Sequence, residues 1–318
     1  MAIDLAFLLI GGAILIGGGE ILVRGAAALA RSLGVSTMII GLTVVAYGTS
    51  APELAVSVTA AYSGKPAICG GNVVGSNILN VLLVLGATAA VFPLKATAAF
   101  IRREIPIMVA VSIAFLVMTL DGVLSRLDAG ILIAILLIYT MMMIRIARGE
   151  KNHVVREYEE DPALPRTRSA LLNIVLVVVG LAMLTGGSDL FLKGAVGIAR
   201  ALGVSDAIIG LTLVALGTSL PELAACLIAA YRNHADICLG NIIGSCIYNI
   251  VAIAGISGML VPLPFESEMV RVHIPVMVGA AAILWPIVHR GGKISRVEGG
   301  FLLACYLVYM GWTVSQNV

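Results

Sequence analysis

Apolar residues run along almost the whole chain in long stretches separated by short polar gaps. A helix of about 20 apolar residues crosses the hydrocarbon core of a bilayer. On that measure the pattern predicts ten spans, at residues 3–31, 36–61, 69–92, 98–119, 126–147, 170–200, 205–230, 238–261, 268–288 and 297–315. The runs are unbroken rather than alternating at period two, which argues against a β-barrel. The opening 34 residues are apolar for too long, with no charged region before them, to be a cleavable signal peptide. One hydrophilic segment interrupts the series, RGEKNHVVREYEEDPALPRTRS at 148–169. It carries Pro162 and Pro165 and is too short for a domain, so it reads as a linker between two five-span halves, 1–147 and 170–318.

The halves repeat one another. Residues 41–62 read GLTVVAYGTSAPELAVSVTAAY and residues 210–231 read GLTLVALGTSLPELAACLIAAY, identical at 15 of 22 positions with a constant offset of 169. The match extends over motifs 41–86 and 210–255, and it pairs Glu20 with Asp189, Ser76 with Ser245 and Asn80 with Asn249. A repeat with an odd number of spans enters the membrane in opposite senses in its two copies. The expected fold is therefore all-α, ten transmembrane helices arranged as two inverted five-helix repeats.

Composition agrees: the chain is 60% hydrophobic and 12% charged. Lysine and arginine orient it, since cytoplasmic loops collect them. With the N-terminus outside, 15 of the 20 basic residues fall on the cytoplasmic side. Both termini are then outside and the 148–169 linker is cytoplasmic. The net charge of +2 and the lack of a basic tract give no sign of a nucleic-acid partner. Cys69, Cys226, Cys238, Cys246 and Cys305 show no CxxC spacing and read as buried free thiols. His153, His234, His273 and His289 fall at membrane edges or loops, none at repeat-related positions, which leaves little basis for an intramembrane enzyme.

The chemistry is concentrated in the duplicated segment. Gly48-Thr-Ser-Ala-Pro-Glu53 and Gly217-Thr-Ser-Leu-Pro-Glu222 each bury a carboxylate in an apolar stretch, where it must be compensated. Pro52 and Pro221 cannot donate a backbone hydrogen bond and disfavour helix just before them, so each span should break near its Thr-Ser. A break frees carbonyls, among them those of Val45, Ala46 and Thr49, at membrane depth. The next span of each half places Ser76 over Asn80, and Ser245 over Asn249, four apart on one face. Glu53, Glu222, Asn80 and Asn249 then form four corners of an oxygen cage. Oxygen-only ligation suits hard cations such as Ca²⁺ and Na⁺. Asn72 and Asn241 are expected to bridge the helix breaks. Glu20, Asp189, Asp121 and Asp128 are expected to be solvated or paired near membrane ends. The glycines at 11–12, 17–19 and 186–187 mark helix surfaces that either slide or pack closely.

These paired motifs resemble the two α-repeats of the Ca²⁺/cation antiporter superfamily, nearest the sodium/calcium exchangers. GTSAPE and GTSLPE resemble the family signature, and GNVVGSNILN and GNIIGSCIYN resemble its second part. The resemblance spans the whole chain and implies Glu53 and Glu222 as shared Ca²⁺/Na⁺ ligands. It implies that the carbonyls of Thr49 and Thr218 join them around Ca²⁺. It adds Ser50, Ser76, Ser219 and Ser245, with the carbonyls of Ala46 and Ala215, for Na⁺. It puts Asn80 and Asn249 at the remaining corners. Potassium-dependent relatives, and some prokaryotic ones, have Asp at the second of these, so Asn249 points away from K⁺ co-transport. The short 148–169 linker resembles the bare transport core of prokaryotic members, in a plasma membrane. The expected function is Na⁺/Ca²⁺ antiport by alternating access, electrogenic and K⁺-independent, with no cofactor. A proton/Ca²⁺ antiporter and a cation channel remain the rival readings.

Overall fold

The computed structural model describes residues 1–160, 169–204, 209 and 215–317. They form helices joined by short turns and four two-residue strands. Helix α1 covers Ala2–Leu33, α2 Thr37–Thr49, α3 Ala51–Tyr62 and α4 Ala67–Val91. Strand β1 is Leu94–Lys95, α5 runs over 100–118, β2 is Val123–Leu124 and α6 is Arg126–Glu160. The second half adds α7 Ala170–Ala201, α8 Ala215–Thr218, α9 Leu220–Tyr231, α10 Ala235–Leu260, β3 Leu263–Pro264, α11 Met269–Gly291, β4 Lys293–Ile294 and α12 Arg296–Asn317.

Seven of these helices are long and apolar enough to cross a membrane, and the bent pair α2–α3 makes an eighth span. Two of the ten expected spans need comment. The one expected at 98–119 is helical as α5, but its first turn is Phe100–Glu104, carrying Arg102, Arg103 and Glu104. The one expected at 205–230 lies partly outside the described residues and is represented by α8 and α9. Helix α6 continues to Glu160, so the first part of the expected linker prolongs the span before it. Arg, Glu and Lys are all good helix formers, and no proline intervenes before Pro162.

The predicted break in α2–α3 is present. Helix α2 ends at Thr49, Ser50 leaves helical geometry (φ −85°, ψ 6°), and α3 resumes at Ala51 with Pro52 in its first turn. The two pieces meet at 43°. Ser219 (φ −97°, ψ 6°) separates α8 from α9 in the same way, with Pro221 in the first turn of α9.

Local features recur between the halves. Gly34 closes α1 in the left-handed region at φ 67°, and Gly203, its mate 169 residues later, has φ 82°. That conformation costs an L side chain but not glycine. Strand β1 pairs antiparallel with β4, and β2 with β3, so each staple ties a turn of the first half to a turn of the second.

Helices α4 and α10 form the centre. In α10, 94% of the central apolar window is buried and in α4 78%, against 22–33% in α1, α6, α7, α11 and α12. The outer helices turn Ile10, Ile16, Leu137, Ile138, Val178 and Val308 outward, as a lipid-facing surface requires. Tyr62 and Tyr231, repeat mates at the ends of α3 and α9, are also exposed, where amphipathic rings favour the interface.

Helices α1 and α7 pack against each other along most of their length. Glycines make this approach possible. A Cβ on Gly180 would lie 2.6 Å from the Leu22 nitrogen, one on Gly25 2.9 Å from Leu176 Cβ, and one on Gly187 3.0 Å from the Leu15 nitrogen. Close backbone approach through small residues is how helices associate in lipid, where there is no water to expel. The neighbour of Gly180 is backbone and cannot rotate away. Gly180→Ala should therefore lower the unfolding midpoint in detergent by about 5 °C. Gly186→Ala, on an open part of the same helix, should leave it unchanged. Equal midpoints for the two variants would refute this packing.

Candidate functional site

The two helix breaks bring their carboxylates to the middle of the fold. Glu53 lies in the first turn of α3 and Glu222 in the first turn of α9. Both are essentially inaccessible, at 1% and 0% exposure. Among the described residues no lysine, arginine or histidine forms an ion pair with either. Each benefits from the positive end of its half-helix, while the negative end of α2 terminates at the same place.

The asparagines reach the site on irregular helix. In α4 a π-helical stretch covers Asn80–Leu85, and in α10 one covers Asn249–Ala254, so each begins at an expected corner residue. Such bulges cost regular hydrogen bonding and are frequent at functional sites. The stretch beginning at Asn80 packs on α9, which carries Glu222, and the stretch beginning at Asn249 packs on α3, which carries Glu53. Each asparagine stretch thus packs on the helix that carries the other half's glutamate.

Hydrogen bonds between the halves hold these elements in register. Ser50 Oγ donates to Glu222 Oε1 at 3.3 Å, and Thr49 Oγ1 donates to Asn241 Oδ1 at 3.0 Å. Ser245 Oγ donates to the Ala46 carbonyl at 3.5 Å, and Asn249 Nδ2 donates to Asn77 Oδ1 at 3.0 Å. The Ala46 carbonyl also accepts from the Ser50 N–H at 3.1 Å, so it is only partly released by the break. Asn72 and Asn241 were expected to bridge the breaks, but Asn72 donates to the Glu53 carbonyl at 3.1 Å and to Ser57 Oγ at 2.9 Å, both within α3, and Asn241 donates to Cys226 Sγ at 3.4 Å while it accepts from Thr49 of the other half. The Gly217 carbonyl, which Pro221 cannot bond, accepts from Ser188 Oγ at 2.5 Å.

Ten buried side-chain polar atoms among the described residues have no hydrogen-bond partner, and five belong to the expected site. They are Glu53 Oε2, Asn80 Oδ1, Glu222 Oε2, Asn249 Oδ1 and Ser219 Oγ. Each of the four expected corners therefore has one buried oxygen without a hydrogen-bond partner among the described residues. A buried unsatisfied acceptor costs about 1–3 kcal/mol, and more when charged. All four are oxygens, the donor type that hard cations take. No group of three or more His, Cys, Asp or Glu converges among the described residues, so softer metal chemistry has no such cluster to use.

The other expected ligands surround this centre. Thr49, Ser50, Ser219 and Ser245 are fully buried, and Ser76 nearly so. Thr218 ends α8 and has a partner of its own, and Ala215 begins that helix. Of the acids expected near membrane ends, Glu20 pairs with Arg24 and with Arg232, both at 2.5 Å, and Asp189 pairs with Lys193 at 2.6 Å. Four cysteines are buried free thiols and Cys305 is half-buried.

Asn77 is the contributor that motif reading passed over. It is buried, and its amide lies between Asn249 and the Cys246 carbonyl. The sequence signal was its mismatch with Cys246 inside an otherwise matched motif. Helix α7 also lies across both breaks. A Cβ on Gly48 would run into the Leu181 side chain, and one on Gly217 would lie 2.6 Å from Leu192. Leu181 and Leu192 are about three helical turns apart and so share one face.

Comparison with known proteins gives a consistent result. The sodium/calcium exchanger protein family matches twice, at residues 3–145 and 172–314. The chain is 38% identical to "Putative antiporter CaxA" of Alkalimonas amylolytica, over 84% of this chain and 85% of that protein. It is 32% identical to "Sodium/calcium exchanger MaX1" of Methanosarcina acetivorans, over 84% of this chain and 86% of the relative. A structure of the sodium–calcium exchanger NCX_Mj, soaked with zero Na⁺ and Ca²⁺, superposes with a TM-score of 0.84 at 32% identity, covering 98% of this chain and 99% of that one.

The cage makes a direct prediction. Glu53→Gln and Glu222→Gln should each weaken Ca²⁺ binding by about a hundredfold or more, about 2.7 kcal/mol. Each should also raise the unfolding midpoint in ion-free buffer, because a repulsive buried charge is removed. Calorimetric titration and thermal unfolding of the purified protein measure both. Wild-type affinity in either variant would exclude that carboxylate as a ligand.

Proposed function

The chain belongs to the sodium/calcium exchanger protein family, and we propose that it is a secondary antiporter exchanging Na⁺ for Ca²⁺ across the membrane by alternating access. The observation that carries this reading is the set of four unsatisfied oxygens on Glu53, Asn80, Glu222 and Asn249. Two carboxylates supply a formal charge of −2, which one Ca²⁺ or two Na⁺ would balance. Around Ca²⁺ the two glutamates and the carbonyls of Thr49 and Thr218 are the ligands. Around Na⁺ the hydroxyls of Ser50, Ser76, Ser219 and Ser245 and the carbonyls of Ala46 and Ala215 take part. Asn80 and Asn249 fill the remaining corners. A third Na⁺ leaves the loaded site positive, so exchange for one Ca²⁺ moves net charge. Asn249 adds no charge to the cage, and the exchange is K⁺-independent.

Obligatory exchange follows from the cost of emptying the cage. Two facing carboxylates without a cation in a low-dielectric interior are penalised by several kcal/mol even after relaxation. The loaded protein changes sides and the empty one does not.

Several features support ten spans in two inverted five-helix repeats, 1–147 and 170–318 around the 148–169 linker. The family matches each half separately. The breaks at Ser50 and Ser219 and the π-helical stretches at Asn80 and Asn249 fall at repeat mates. The staples β1–β4 and β2–β3 join turns that the basic-residue distribution puts on the same side of the membrane. That distribution also puts both termini outside. Helices α1 and α7, bound through their glycines, move as one body across the cage. The leucine face of α7 spans both breaks, so a slide along its axis uncovers one or the other.

Reconstituted vesicles loaded with Na⁺ should accumulate ⁴⁵Ca²⁺ when the outside lacks Na⁺, with a transient current on a Ca²⁺ jump. Replacing all K⁺ by choline should leave the rate unchanged. Uptake driven by a pH gradient without Na⁺ would instead identify a proton antiporter, and a K⁺ requirement would overturn the role given to Asn249.

A further inference from the structure

Asn249 can serve the cage only in one of its two amide orientations. With Oδ1 inward it is a cation ligand, while with Nδ2 inward it presents two N–H donors to the ion. The two differ by a flip that changes shape hardly at all, so the surroundings must choose. Three hydrogen bonds in series make that choice. The Cys246 carbonyl, fixed in α10, accepts from Asn77 Nδ2 at 3.2 Å. The same NH₂ group also donates to Met277 Sδ at 3.5 Å. Asn77 is thereby turned with Oδ1 toward Asn249, whose Nδ2 donates to it at 3.0 Å. Asn249 Oδ1 is left buried and without a hydrogen-bond partner among the described residues.

We propose that Asn77 is a positioning residue that sets ligand affinity by locking the Asn249 amide with its oxygen toward the cation. The lock crosses the two halves, since Asn77 is on α4 and Asn249 on α10. It has no mirror image. The mate of Asn77 is Cys246, which has no amide oxygen to accept from Asn80 and whose thiol reaches only the Asn77 carbonyl, at 4.0 Å. The two asparagine corners are therefore unequal: Asn249 is held by a side chain and Asn80 lacks the corresponding brace. The inference rests on the cage being a cation site, but not on Na⁺ being the driving ion.

The test measures Ca²⁺ binding to the full-length purified chain in Na⁺-free buffer, with no gradient. Asn77→Ala and the volume-matched Asn77→Leu should each raise the Ca²⁺ dissociation constant about tenfold. In an Asn249→Asp background the same two changes should shift the constant by less than about threefold relative to Asn249→Asp alone, because both oxygens of a carboxylate are acceptors and a flip changes nothing. A merely structural role for Asn77 would cost the same in both backgrounds. Wild-type affinity in both Asn77 single variants, or an equal loss in the two backgrounds, overturns the proposal. Absence of Ca²⁺ binding by the wild type overturns the cage itself. Ca²⁺ binding without Na⁺-driven transport overturns only the exchanger reading, leaving the lock intact.

Discussion

Two buried carboxylates in an apolar protein, with no basic side chain paired to them among the described residues, constrain much else in this fold. Isolated charges at that depth are prohibitively costly, and the common remedy, a buried arginine or lysine, is not seen among the described residues. Dipoles supply part of the compensation, and the proposed cation would supply the rest. The helix breaks supply the dipoles by ending α2 and starting α3 and α9 at the carboxylates. The π-helical stretches carry asparagine oxygens to the same point. Hydroxyls hold the elements without adding charge: Ser50 on Glu222, Thr49 on Asn241, Ser245 on Ala46. A resident positive side chain would satisfy the glutamates permanently and leave nothing for an ion to do.

Duplication solves the geometry. One half alone would offer one glutamate and one asparagine, too little for a cation that takes six to eight oxygens. Each asparagine stretch packs on the opposite half's glutamate helix, so the two halves interleave at these residues. The central helices α4 and α10 are correspondingly the most enclosed, and the turns are tied crosswise by β1–β4 and β2–β3. Helices α1 and α7 are more exposed, and close approach at their glycines holds them to each other.

Much of this was legible in the sequence because lipid imposes few solutions. Unbroken apolar runs located α1, α4, α6, α7, α10, α11 and α12, and a proline after a Gly-Thr-Ser located the breaks at Ser50 and Ser219 to within a residue. Pattern failed where two properties competed. Charge made 148–160 look like linker, although Arg, Glu and Lys extend a helix readily and α6 continues through to Glu160. At the site, the residue types and their i, i+4 spacing singled out Glu53, Asn80, Glu222 and Asn249, and the structure shows a buried oxygen without a partner on each among the described residues. Types and spacing could not reveal which asparagine is braced. Asn77 sits one residue after Ser76 and three before Asn80, and nothing in that spacing says its amide bonds across to the other half. Ser188 on the Gly217 carbonyl was hidden for the same reason, since its mate is Gly19, which has no side chain.

The two halves differ in two distinct ways, and the distinction bears on mechanism. Ser50 and Ser219 are the same residue at mated positions, yet Ser50 bonds Glu222 while Ser219 Oγ has no partner. Identical chemistry in unequal arrangements is a difference of conformation. In the proposed alternating-access cycle that difference would reverse when the protein faces the other side. Asn77 and Cys246 are different residues, and no conformational change can exchange them. The Asn77–Asn249 contact therefore has no repeat-related counterpart among the described residues, and it makes the two asparagine positions chemically unequal in a way that the near-identical motifs conceal.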